Sequence, residues 1–113
     1  MITMRLQQHP FERMKEEKKT IEMRLCDEKR SKLKVGDEIM FVNAANESEH
    51  IITKIIALHK FSDFKSLYKH FNKVSLGYEQ NEVAKPEDME IYYTKEMQKE
   101  YGVLGIEIKL QSN

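Results

Sequence analysis

Three stretches of the chain place apolar side chains at every second position, which in an extended strand gathers them on one face. In Met1–Gln7 these are Ile2, Met4 and Leu6, and in Lys18–Leu25 they are Ile21, Met23 and Leu25. In Val103–Leu110 they are Leu104, Ile106, Ile108 and Leu110, which leaves Glu107 and Lys109 to point the other way. Gly36-Asp37 is turn chemistry and launches a further strand, Glu38–Val42. After a loop at Asn43–Ser48, the β-branched run Ile51–Leu58 is apolar enough for a largely buried strand, paired with Glu38–Val42 as a hairpin.

Helical spacing appears behind Ser62, read as an N-cap: Phe64, Leu67, Tyr68 and Phe71 recur at i, i+3, i+4, i+7. Pro10 suits the start of a short helix, Phe11–Lys18, with Phe11 and Met14 turned inward. Pro86-Glu87-Asp88 opens another, with proline in the first turn and carboxylates at the positive end of the dipole. Thr94 caps a last short helix that Gly102 closes. Asp27–Lys34 is a polar connector with room for one helical turn, and Val74–Lys85, which contains Gly77, is irregular.

The strand at Lys18–Leu25 carries the candidate chemistry. Opposite its apolar face stand Thr20, Glu22 and Arg24, with Lys19 at the strand entrance. Such a row fits a solvated strand face, where Glu22 and Arg24 form an exposed ion pair worth little. It also fits the charged wall of a small ligand pocket.

Around this strand the chain resembles the ASCH family, a branch of the PUA-like folds with the pattern G-x-K-x-x-E-x-R. Lys19, Glu22 and Arg24 fit its charged positions, and Glu17 stands where the family has glycine. The blocks His9-Pro10-Phe11-Glu12, Lys34-Val35-Gly36-Asp37-Glu38-Ile39 and Tyr101-Gly102-Val103-Leu104-Gly105-Ile106 are similar to family blocks in the same order. The resemblance therefore covers nearly the whole chain. It implies an α+β fold, a PUA-like mixed β-barrel of five or six strands with flanking helices, and a cleft lined by the motif residues. The change at Glu17 predicts a helix-to-strand turn of different backbone conformation, because a positive φ is costly for glutamate.

Composition narrows the function. At 113 residues the chain has the length of one domain, here residues 1–113, with 40% hydrophobic and 34% charged positions. No run approaches the ~20 apolar residues of a membrane helix. The N-terminal Met1-Ile2-Thr3-Met4-Arg5 lacks the pattern of a signal peptide. Cys26 is the only cysteine, so a cytoplasmic protein without an internal disulfide is expected. With 19 basic and 19 acidic side chains the net charge is zero, which argues against a protein that coats long nucleic acid. The charge is unevenly spread. Arg13 to Lys34 holds nine basic residues, among them Lys29, Arg30 and Lys32, against five acids, whereas Glu79 to Glu100 holds seven acids against three lysines.

His9, His50, His59 and His70 fall in four separate predicted elements and Cys26 has no partner at ligand spacing, so no metal and no cofactor is expected. No P-loop, dinucleotide fingerprint or nucleophile elbow occurs. Phe64, Tyr68 and Phe71 read as core. Tyr92 and Tyr93 are adjacent, so one of them is expected to face a cleft, where stacking on a base is worth roughly 1–3 kcal/mol.

The resemblance implies binding of RNA or of a nucleoside or nucleotide. The expected ligand-binding residues are Lys19, Thr20, Glu22, Arg24 and Tyr93, and Lys29, Arg30 and Lys32 are the expected nucleic-acid contacts. One branch of the family hydrolyses the acetyl amide of N4-acetylcytidine with a threonine at the position of Glu22 and a downstream glutamate. By that resemblance the alternative is an amidohydrolase acting on an acylated nucleoside, with Lys19, Glu22 and Glu87 as candidate catalytic groups. Thr20 would then be the nearest hydroxyl, one pleat away from the nucleophile position. A ligand-free interaction module is the third reading.

Overall fold

The computed structural model describes residues 1–111; the last two residues of the expected domain, 112–113, lie outside the described residues. Five strands form one mixed sheet that curls into a half-barrel with helices packed around it. They are β1 (Ile2–Leu6), β2 (Ile21–Leu25), β3 (Glu38–Asn43), β4 (His50–Phe61) and β5 (Val103–Leu110), in the order β1-β3-β4-β5-β2. β1 runs parallel to β3, and the other pairs are antiparallel. β1 and β2 are therefore the two open edges. No helix among the described residues is long and apolar enough to cross a membrane.

The expected hairpin of β3 and β4 is present, closed by Asn43, whose buried side chain accepts from Ala45 N and donates to Glu49. β4 continues three residues past Leu58 because Gly105, Leu104 and Val103 of β5 pair with His59, Lys60 and Phe61. A bulge at Ile56 shifts that register and turns Ile56 outward.

Two apolar clusters lie on opposite faces of the sheet. Inside the half-barrel, Met4, Leu6, Ile39, Phe41, Ile55, Leu104, Ile106 and Ile108 pack with Phe11 and Met14 of α1 (Gln8–Lys15). On the other face, Ile21, Met23, Leu25 and Val103 pack against Phe64 and Leu67 of α2 (Phe64–His70). Gly105 permits this contact, since a Cβ there would meet Phe71 at 3.2 Å.

The helices start and stop by local chemistry. Asp63, rather than the expected Ser62, caps α2: its carboxylate accepts Ser66 N at 2.9 Å. Thr94 caps α3 (Lys95–Tyr101) by accepting Met97 N, and Gly102 at φ 74° closes it, both as the sequence predicts. The segment Pro86–Ile91 is a 3-10 helix rather than an α-helix. Arg30–Lys32 supplies the single turn expected in the connector after β2.

α1 begins three residues before Phe11 and ends at Lys15, where Lys18 N bonds Arg13 O and Glu17 N bonds Met14 O. This pairing is a Schellman motif with Glu17 at the left-handed position, φ 63°. The turn thus keeps the conformation that favours glycine, contrary to the expectation from the sequence. The helix-closing hydrogen bonds hold it in spite of the side chain.

Candidate functional site

The Schellman turn aims Lys19 beneath the open edge of the half-barrel. Glu22 pairs with Ile106 and Arg24 with Leu104, two residues of the inner cluster, so the charged face of β2 looks into the half-barrel. Ile21, Met23 and Leu25 turn the other way, onto α2. Both faces of the strand are thus covered, and neither is a solvated surface.

Glu22 is 4% exposed and holds a cation on each oxygen: Lys19 Nζ lies 3.3 Å from Oε1, and Arg24 Nε donates to Oε2. The Lys19 ammonium, 3% exposed, also donates to Ile21 O at 2.7 Å and Leu76 O at 3.0 Å. Its three protons are engaged. Burial holds the Lys19 pKa below the ordinary lysine value, against the attraction of Glu22. The lysine stem runs against Gly77, whose φ is 113° and where a Cβ would stand 3.1 Å from Lys19 Cδ. Thr20 N and Ile21 N both donate to Ser75 O, which ties the irregular segment to the strand entrance.

Arg24 reaches across the opening of the half-barrel. Its Nη2 donates at 2.9 Å to Arg5 O on β1, so one guanidinium links the two edge strands. Burial opposes its charge, but Glu22 and then Tyr93 outweigh that cost and raise its pKa.

These residues line a cavity of about 610 Å³. Its other wall comes from the irregular segment, the 3-10 helix and the two residues that follow it: Tyr78, Glu82, Glu87, Asp88, Ile91, Tyr92 and Tyr93. Tyr93 stacks on Phe64, with ring centroids 5.8 Å apart and planes 20° apart, and Tyr92 is 57% exposed at the rim. Tyr68 of α2, read from its spacing as core, lines the cavity as well. Its hydroxyl meets that of Tyr78 at 2.8 Å, and Tyr78 donates to Asp88 Oδ2 at 2.8 Å. Burial pushes the Tyr68 pKa up to about 12 and raises that of Tyr78 too.

The structure brings Lys19, Glu22, Arg24, Tyr93 and Glu87 to one cavity. Thr20 is not among the lining residues: it is half-buried, and its carbonyl accepts Ile108 N. It is therefore left out of the candidate site. Lys29, Arg30 and Lys32 line a separate groove of about 380 Å³ that shares Arg5 and Arg24 with the cavity. Arg5, Tyr68, Tyr78 and Asp88 were not legible as site residues. Arg5 lay in a plain strand, Tyr68 in a core stripe, and Tyr78 in a segment without periodicity.

Folding also brings together what sequence spacing held apart. Ligand atoms of His9, Glu79 and Glu82 lie within 4.8 Å of one another at the protein surface. Arg13 Nη1 sits 3.5 Å from Glu79, so this cluster already has a cation, and it is read as ion pairing. His59 pairs with Glu107 at 2.9 Å and packs edge-on against Phe71, a packing role. Cys26 is a free, half-buried thiol beside the inner cluster.

The fold and the buried charged cleft at the open edge of the half-barrel define a PUA-like protein. The ASCH domain model matches residues 4–112, and the chain belongs to the ASCH family. The crystal structure of hypothetical protein PH0355 is similar to it, with 32% identity over 96% of this chain and 97% of that one and a TM-score of 0.75. The solution structure of protein PF0455 from Pyrococcus furiosus has 28% identity over 99% of this chain and 98% of that one, with a TM-score of 0.67. No curated protein matches the chain.

Proposed function

We propose that this protein binds single-stranded RNA, seating one nucleotide in the cavity and running the adjoining phosphates along the neighbouring groove. The observation that carries this reading is the sharing of Arg5 and Arg24 between the cavity and the groove of Lys29, Arg30 and Lys32. The groove is lined by five basic side chains and no acid, so the local basic excess adjoins the charged cleft. Arg30 is held by Asp27 and Arg5 by Glu47, whereas Lys29 and Lys32 have no ion-pair partner among the described residues. Exposed Tyr92 at the cavity rim offers a ring on which a base can stack.

Binding is favoured over hydrolysis of an acylated nucleoside by the state of Lys19. Its burial lowers its pKa in the direction a general base needs. Yet two backbone carbonyls and Glu22 engage its protons, and the motif position that would carry a hydroxyl is Glu22 itself. An interaction module without a ligand does not account for a cavity floored by buried Lys19 and Glu22 and the half-buried Arg24.

Salt dependence of oligonucleotide binding tests the proposal. Each phosphate neutralised on a single strand contributes about 0.7 to the log–log slope, so two to four contacts give a slope of roughly 1.4–2.8. Replacing Lys29 and Lys32 together by glutamine is expected to lower that slope by about 1.4. A slope near zero with binding retained would point to a lone nucleoside and sink the RNA reading.

A further inference from the structure

The two walls of the cavity carry opposite charge. Arg5 and Arg24 stand on the edge strands, while Glu82, Glu87 and Asp88 stand on the wall opposite. None of these three carboxylates has an ion-pair partner among the described residues. A ligand suited to this arrangement presents an anion to the strands and hydrogen-bond donors to the far wall.

The three carboxylates are not equivalent. All three are exposed and differ in their hydrogen bonds: Glu82 Oε1 is taken up by Glu79 N, and Glu87 has none among the described residues. Asp88 is anchored. An ionised carboxylate can only accept, so Tyr78 gives its proton to Asp88 Oδ2 and Tyr68 must give its own to Tyr78. The chain of two hydroxyls fixes one oxygen of Asp88 and leaves Oδ1 as an acceptor without a partner among the described residues.

We propose that Asp88, aimed by the Tyr68–Tyr78 chain, reads an exocyclic amino group on the base held in the cavity. The site then selects bases that carry such a group, adenine, cytosine and guanine, over hypoxanthine and uracil, which lack it. This rests on the reading of the cavity as a nucleotide site. An amino group donates to the free oxygen of Asp88. A keto group in its place turns lone pairs toward a negative oxygen, and the ring N–H beside it is flanked by carbonyl oxygen that repels the same carboxylate. Arg5 and Arg24 across the cavity orient the nucleotide by its phosphate.

The test uses the full chain and two matched pairs of ligands, adenosine against inosine monophosphate and cytidine against uridine monophosphate. The amino member of each pair is expected to bind about tenfold more tightly or better. Asp88→Asn keeps the shape, accepts from Tyr78 through its carbonyl and offers an amide donor to the ligand, so it should erase or invert the preference. Tyr78→Phe, which removes the anchor, should bring the ratio toward one. A variant that merely misfolds loses all four ligands together and cannot invert a preference, and melting curves identify it.

Equal affinities in the wild type, or a ratio untouched by Asp88→Asn, would overturn the assignment. RNA binding with a normal salt slope in that case would leave the nucleotide reading standing. If none of the monophosphates and no oligonucleotide binds, both readings fall.

Discussion

Glu22 sits between Lys19 and Arg24 with each oxygen committed and 4% of its surface exposed. Removing one member of a buried ionic group strands the others in low dielectric, which typically costs about 3–5 kcal/mol. Glu22→Gln is therefore expected to destabilise the fold by about 3 kcal/mol in chemical denaturation, because the amide supplies no charge to either cation. A change within ~0.5 kcal/mol would show instead that the three charges remain hydrated. The sequence pointed to these three residues through their motif but did not show their burial. Alternation assigned Ile21, Met23 and Leu25 to the core and left the other face open. Only the curl of the sheet, with β5 beside β2, shows that the charged face also turns inward.

At the scale of elements, the boundaries follow hydrogen bonds that no local pattern displays. Helix α1 starts before Pro10 because Phe11 N finds Gln7 O, and β4 outlasts its apolar run because β5 pairs with it to Phe61. The five strands, α3 and its cap were legible because periodicity and capping are local. The far wall of the cavity was not, since Val74–Lys85 has no period and is held by long-range bonds such as Lys19 Nζ to Leu76 O. The turn between α1 and β2 is where an element meets the site. Glu17 occupies a left-handed position that costs an L side chain about 1 kcal/mol, and glycine returns part of that gain as unfolded-chain entropy. Glu17→Gly is expected to raise stability by about 0.5 kcal/mol with ligand affinity unchanged, as read by paired melting and binding titrations. A destabilised variant would mean that the Glu17 side chain contributes contacts that outweigh its backbone strain.

Across the whole molecule, the strand order leaves β1 and β2 as open edges, and the cavity forms where Arg24 spans them to reach Arg5 O. One wall belongs to the sheet, and the other hangs on the Tyr68–Tyr78–Asp88 chain that joins α2 to the 3-10 helix. This division gives stability a marked dependence on alkaline pH. The Tyr68 hydroxyl has a folded pKa raised to about 12 through burial, from an ordinary value of 10.0, and that of Tyr78 is raised as well. The folded state therefore keeps its phenolic protons where the unfolded chain has released them. The contribution of Tyr68 is complete below pH 10.0 and is lost progressively as pH rises toward 12, and that of Tyr78 falls in the same direction. Lys19 acts in the opposite sense. Its folded pKa is lowered from 10.5 by burial, so the cost of burying its charge fades as pH climbs through that lowered value. A stability maximum on the alkaline side, followed by a steep fall beyond pH 10.0, is expected in melting temperature measured from pH 8 to 12. Tyr68→Phe keeps the ring and removes one of the late-titrating hydroxyls, so its alkaline limb should be shallower than that of the wild type. Identical limbs in the two proteins would show that Tyr68 does not hold its proton in the folded state, and that the two-hydroxyl chain does not fix the far wall.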